Sequence, residues 1–128
     1  MRVYLASNWE SQARLVALVS RVDGGSHEVV SSWLWEEPGQ GFRVLSEMQC
    51  VEKAHRDLGE ILTADLVIVD TLEETQSGGR EVELGFAVGK HPVWLVGPCR
   101  NIFHQVTTRQ FVDWDSCLDA LGSWRGVP

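Results

Sequence analysis

The sequence predicts an α/β fold, a three-layer sandwich around a five-stranded, mostly parallel sheet. Two observations carry this prediction. The runs DLVIVD (65–70) and PVWLVG (92–97) are short and continuously apolar, as strands covered on both faces are. Strand-like and helix-like stretches also alternate along the chain as β-α-β-α-β-α-β-(loop or helix)-β-α, the order that crossover-connected parallel strands require.

Each element has its own local reason. RVYLA (2–6) is a short β-rich run at the very start. Residues 10–22 place Leu15, Leu18, Val19 and Val22 at helical spacing, and DGG (23–25) stops that helix. HEVVSSWLW (27–35) is β-branched and aromatic and predicts the second strand. EEPGQG (36–41) predicts a loop. Residues 43–62 predict a long amphipathic helix whose apolar positions are Val44, Met48, Val51, Leu58, Ile61 and Leu62. DLVIVD is the third strand, TLEETQSGG (71–79) a loop, 80–89 a helix and PVWLVG the fourth strand. QFVDW (110–114) and 115–124 complete the chain as a fifth strand and a terminal helix. The first, third and fourth strands are the most apolar and belong in the middle. With right-handed crossovers this gives order 2-1-3-4-5, a flavodoxin- or Rossmann-like arrangement, in one domain spanning 1–128.

Composition narrows the function. The 128 residues carry 11 basic and 18 acidic side chains, a net charge of −7. That is a poor match for a nucleic-acid backbone, which needs clustered Lys and Arg. No apolar run approaches the length of a spanning helix, so no membrane partner is expected. The three cysteines lack C-x-x-C spacing, and the four histidines lack ligand spacing; neither a disulfide framework nor a metal site is expected. Reduced cysteines and the absence of a signal-like start predict a cytoplasmic protein.

Ligands of open α/β sheets bind beyond the carboxyl ends of the strands. The loops there are SNWE (7–10), WEEPGQG (35–41), TLEETQSGG (71–79) and GPCRNIFHQ (97–105). In the third of these, Ser77, Gly78 and Gly79 leave backbone N–H groups open at a helix start, which suits an anion or a hydroxyl-rich ligand. Glu83 follows in what reads as the helix's first turn, flanked by Gly79 and Ala87, so its face is stripped of bulk. An acid there fits either a site or simple compensation of the helix dipole, which would also keep it ionised. Asp57, on the long helix, fits a site or a solvated surface. Asp70 is at the ligand end of its strand, and a structural role fits it equally well. Trp9, Trp33 and Trp35 fall at strand ends, where a base can stack or a core can pack. His104 and Asn101 share the fourth loop. The chain contains no G-x-G-x-x-G after the first strand, no G-K-[ST] and no G-x-S-x-G.

The segments VYLASNW, EVVSSWLW, AHRDLGEILTADLVIVDT, SGGREVELGFAVGKHPVWLVG and NIFH together resemble the nucleoside 2-deoxyribosyltransferase family and its relatives, the nucleoside 5′-monophosphate N-glycosidases. The resemblance covers most of residues 2–105. It implies cleavage or transfer at the N-glycosidic bond of a nucleoside or nucleotide without a cofactor, with Glu83 as nucleophile and Asp57 as the acid that positions the sugar or serves the base. Ser7, Asn8, Trp9, Trp33, Ser77, Gly78, Gly79, Asn101 and His104 would then bind substrate. Ser77 stands where the transferases carry an aspartate and the monophosphate glycosidases a serine, which leans towards a nucleotide hydrolase. The resemblance also implies a homodimer or higher oligomer. A non-catalytic nucleotide-binding module with the same pocket is the alternative.

Overall fold

The computed structural model describes residues 1–37 and 44–126. Five strands form one sheet: β1 (Arg2–Ala6), β2 (Glu28–Val29), β3 (Leu66–Asp70), β4 (Val93–Val96) and β5 (Arg109–Phe111). Their order is β2-β1-β3-β4-β5 and every pairing is parallel, as the sequence predicts. Four helices cover it: α1 (Gln12–Val22), α2 (Glu47–Thr63), α3 (Gly79–Val88) and α4 (Trp114–Ser123).

Every residue of β3 and β4 is buried, as are Val3 to Ala6 of β1. This is why those runs are apolar without alternation: helices close both faces. Leu15 and Val19 of α1, Ile61 of α2, Leu84 and Ala87 of α3 and Leu121 of α4 pack into the same core. α2 starts with a capping box, in which Ser46 Oγ accepts from Gln49 N and Gln49 Oε1 accepts from Ser46 N. Asp113 caps α4 by accepting from Ser116 N at 2.8 Å.

The second strand is much shorter than HEVVSSWLW suggests, and residues 32–35 form a 3₁₀ turn. Side chains end the ladder. Ser31 Oγ accepts from Leu5 N at 2.5 Å, and Trp33 Nε1 donates to Leu5 O at 2.8 Å. Both main-chain groups of Leu5 are thus satisfied without further strand, and the turn folds Trp33 over the sheet's carboxyl end. The long helix also differs from its pattern. Leu58 and Ile61 meet the core, whereas Met48, Val51 and Leu62 are exposed, as is Val44 ahead of the helix. The predicted helix start at residue 43, and most of the predicted loop at 36–41, lie outside the described residues.

At the carboxyl ends the loops are clamped rather than loose. Gly97 has φ +118°, and a Cβ there would lie 2.7 Å from Thr71 Oγ1 and 2.8 Å from Leu72 N. Only glycine lets the ends of β3 and β4 approach this closely. Arg100 donates to Thr71 O and Leu72 O, and Arg80 to Glu73 O, so two guanidinium groups hold the turn after β3.

Candidate active site

One cavity of about 320 Å³ opens at the sheet's carboxyl end. Ser7, Asn8 and Trp9 line it from the loop after β1, Trp33 and Glu36 from the turn after β2, Lys53 and Asp57 from α2, and Ser77, Gly79, Arg80 and Glu83 from the start of α3. This is where the reversal of strand order between β1 and β3 leaves a crevice. Of the residues singled out in the sequence, Glu83, Asp57, Ser7, Asn8, Trp9, Trp33, Ser77 and Gly79 therefore converge.

Gly78, Asn101 and His104 are placed elsewhere. Gly78 is the N-cap of α3 and does not line the cavity. His104 is fully buried beside α3. Arg100 N–H donates to its Nδ1 at 2.9 Å, so Nε2 carries the proton and donates to Glu81 Oε2 at 2.9 Å. Asn101 caps the turn holding His104, accepting from Phe103 N and His104 N. Burial opposes ionisation of Glu81, but hydrogen bonds from His104, Asn101 and Arg80 outweigh it and hold this carboxyl below its ordinary range. The fourth loop thus braces α3 from outside the cavity. Asp70 is likewise structural. It is fully buried and accepts from Arg14 at 2.7 and 3.0 Å, from Trp114 Nε1 at 2.6 Å and from Leu72 N at 3.0 Å.

Glu83 lies in the second turn of α3, not the first; Glu81 is the first-turn acid. Burial raises Glu83 to about 8, helped by the charges of Asp57 and Glu60, and its hydrogen bond from Tyr4 only partly offsets this. The expectation that the helix amino end keeps this acid ionised is therefore reversed: desolvation beats the dipole, which fades beyond the first turn. Asp57 is raised to about 6, mainly by burial; Arg56 pulls it down, and Glu36 and Glu60 push it up. Beside Glu36, the cavity thus holds two carboxyl groups with raised and separated proton affinities, an arrangement able to run nucleophile and acid chemistry near neutral pH.

Sequence reasoning missed Tyr4, Glu36, Lys53 and Arg80. The Tyr4 hydroxyl donates to Glu83 Oε2, and burial together with the Glu83 charge drives the phenol far above its usual range. The signal was present: the chain's sole tyrosine lies in a central strand, where a buried hydroxyl needs a partner. Arg80 is buried, donating to Glu73 O at 3.0 Å and pairing with Glu81 at 3.1 Å. Lys53 pairs with Glu36 at 2.5 Å, and Arg56 also reaches Glu36. The N–H groups of Ser77 and Gly79 are not open as expected: they donate to Thr75 Oγ1 at 3.1 Å and, at a long 3.4 Å, to Ser77 Oγ.

No family model matches the sequence, and no curated protein sequence matches it. Solved structures do. The chain is similar to the 2-deoxyribosyltransferase of Bacillus psychrosaccharolyticus, with a TM-score of 0.75 at 23% identity over 93% of this chain and 91% of that one. This is the fold of a 2-deoxyribosyltransferase. The chain is also similar to a conserved protein of Enterococcus faecalis V583, with a TM-score of 0.69 at 14% identity over 95% of this chain and 97% of that one. A CMP N-glycosidase of Clostridium botulinum matches with a TM-score of 0.60 at 20% identity, over 97% of this chain and 100% of that one. Among the described residues no group of His, Cys, Asp and Glu could hold a metal ion, and no helix is long and apolar enough to cross a membrane.

Proposed function

We propose that this chain is a member of the nucleoside 2-deoxyribosyltransferase family and cleaves, or transfers at, the N-glycosidic bond of a nucleoside or its 5′-monophosphate, with Glu83 as nucleophile. The observation that carries the reading is the Tyr4–Glu83 pair. A carboxyl group held in the crevice by a strand tyrosine, with a second acid lining the same cavity, supplies the two groups the reaction needs, and the reactive form is the one in which the proton they share sits on Asp57.

Loss of the base builds positive charge on the sugar at C1′. Ionised Glu83 stabilises that charge and bonds to C1′ as the carbon–nitrogen bond breaks. The bond's electron pair leaves with the base nitrogen, which takes a proton from protonated Asp57. Asp57, now a carboxylate, then accepts a proton from the water that attacks C1′ and releases Glu83. A second base in place of water gives transfer. Ser7, Asn8, Trp9 and Trp33 supply the walls, and Ser77 with Gly79 the end facing the sugar's 5′ side. No cofactor takes part.

Chromatography of reactions with a panel of nucleosides and 5′-monophosphates tests this. Base release that disappears in Glu83→Ala is expected, and release that persists there refutes the role of Glu83. A non-catalytic nucleotide-binding module is the second reading, favoured by the proton that burial keeps on Glu83 below about pH 8. It would show saturable nucleotide binding with no turnover at any pH.

The same reading includes a cytoplasmic homodimer or higher oligomer. Met48 and Val51 on α2, Val82 on α3, and Phe103 and Val106 beyond β4 are each more than half exposed. Val82, Phe103 and Val106 help to line an apolar groove of about 640 Å³. A second copy covering this surface would remove it from water.

A further inference from the structure

We infer that Glu36 and Lys53 read the hydrogen-bonding edge of the base, and that the cavity is built for guanine. This inference rests on the reading of the cavity as a nucleoside site.

Both side chains line the cavity that contains Glu83. The Glu36 side chain is only 13% exposed and that of Lys53 25%. Lys53 precedes Asp57 by one helical turn on the same face of α2, roughly 6 Å further along the helix. With C1′ held at Glu83 and the 5′ side at Ser77 and Gly79, the base extends towards Lys53, Glu36 and the indole of Trp33. Trp33 is fixed by its bond to Leu5 O, and Trp9 stands 6.1 Å away, tilted by 40°. One indole face is thus offered to a flat ring instead of being used up in a parallel stack.

The donor and acceptor pattern selects the base. A carboxylate only accepts, and its two oxygens offer about four lone-pair sites. Lys53 occupies one site on Oε2 and Arg56 one on Oε1. Among the described residues nothing else reaches these two atoms, so each oxygen keeps one site for an incoming donor and Glu36 presents two acceptors. Guanine is the base with two adjacent donors on this edge, N1–H and the 2-amino group. Its O6 lies beside them and needs a donor, and Lys53 has three N–H groups, of which Glu36 takes one. Hypoxanthine offers a single N–H. Adenine and cytosine set a bare ring nitrogen against the carboxylate, and uracil places carbonyls on both sides of its N–H. Each of these leaves an acceptor facing an acceptor, or a buried group unpaired, which is how polar sites reject analogues.

Calorimetric binding of the 5′-monophosphates of guanosine, inosine, adenosine, cytidine and uridine to the Glu83→Gln chain tests this without turnover. The guanosine nucleotide is expected to bind at least about 10-fold more tightly than the inosine nucleotide, the difference being one charge-assisted hydrogen bond. Adding Glu36→Gln should erase that ratio. Adding Lys53→Met should weaken guanosine and inosine nucleotides together and leave the adenosine nucleotide unchanged. Equal affinities across the five, or a ratio that survives Glu36→Gln in a folded chain, overturn the inference. Base release by the unaltered chain separates the two levels. Release without guanine preference sinks the inference and leaves the N-glycosidase reading standing. Guanine-selective binding without release does the reverse, and an absence of binding together with an absence of base release overturns both.

Discussion

The hydroxyl of Tyr4 donates to Glu83 Oε2 and joins the first strand to the third helix across 79 positions of sequence. The tyrosine is fully buried in the sheet and cannot swing away, so it fixes where the carboxylate points. It also opposes the burial that keeps Glu83 protonated. Tyr4→Phe removes both effects. A hydrogen bond to a charged group is worth about 1.5–3 kcal/mol, so kcat/KM is expected to fall roughly 10- to 100-fold. The pH at which Glu83 loses its proton should move upward in the same variant. A fall in rate with no movement of the pH profile would assign Tyr4 to packing alone.

The activity should peak between the two carboxyl groups. With Asp57 near 6 and Glu83 near 8, the cavity holds one proton between those values. A reaction that needs one ionised and one protonated acid follows that singly protonated state, whichever oxygen carries the proton. A bell-shaped plot of kcat/KM against pH, highest near neutrality, is expected. Asp57→Asn should lower the rate and remove the alkaline limb, since no acid remains to lose its proton, leaving a single rise as Glu83 ionises, at a lower pH than in the parent because the Asp57 charge that raises Glu83 is gone. Activity rising steadily from pH 5 to pH 9 would separate Asp57 from the proton transfer.

Stability carries the same signature with a definite sign. The folded chain retains a proton on Glu83 that the unfolded chain gives up near its ordinary value, so the unfolded state binds fewer protons across that window. Stability is full below about pH 4.5 and declines as pH rises towards about 8. At about 1.4 kcal/mol per unit the whole effect is on the order of 3 kcal/mol after allowance for water that enters the open cavity. Glu83→Gln should be less sensitive to pH over this range and more stable than the parent at pH 8. Urea unfolding of both chains at pH 5 and pH 8 measures the difference, and parallel loss of stability in the two would contradict it.

Burial explains which parts of this molecule were legible in the sequence. β1, β3 and β4 announce themselves because strands covered on both faces must be apolar throughout, and strand order followed from that. β2 did not, because its ladder ends through two side-chain bonds to Leu5 that no periodicity records. Glu83 and Asp57 were found through motif resemblance, but their proton affinities depend on the depth of the cavity. Tyr4 was readable from its type and position. Glu36 and Lys53 were not, since an acid in a turn and a lysine on a helix usually face water, and only the fold of the 32–36 turn onto α2 brings them together. His104 misled because the loop holding it reaches the correct end of the sheet and then packs behind α3.

Asp70 is a carboxylate at the ligand end of a strand that is buried among structural partners and does not line the cavity. Its four accepted hydrogen bonds tie Arg14 of α1 and Trp114 of α4 to the end of β3. Asp70→Asn keeps the shape, removes the charge and puts an amide donor against other donors. Because Arg14 is one-third exposed, the cost falls below that of a fully buried pair, at about 2 kcal/mol. Chemical denaturation should show that loss. Asp70→Asn should keep kcat/KM within about threefold of the parent below the unfolding transition, a change of less than 1 kcal/mol. A far larger drop in rate would place Asp70 in the reaction.

The exposed apolar residues bear on assembly. Val82 is 61% exposed and Phe103 63%, among several large apolar side chains that face water. If a second copy covers them, light scattering should give at least twice the 14.3 kDa chain mass. Val82→Asp places an unpaired carboxylate in that contact and is expected to shift the mass to that of the monomer. Residue 82 immediately precedes Glu83 but lines the apolar groove and not the cavity that holds Glu83. Two outcomes of the variant therefore differ in meaning. Loss of mass with full activity describes an interface remote from the site. Loss of both shows that the neighbouring copy contributes to the crevice. A parent chain that runs as a monomer at all concentrations removes the oligomer from the proposal and leaves the chemistry at Glu83 untouched.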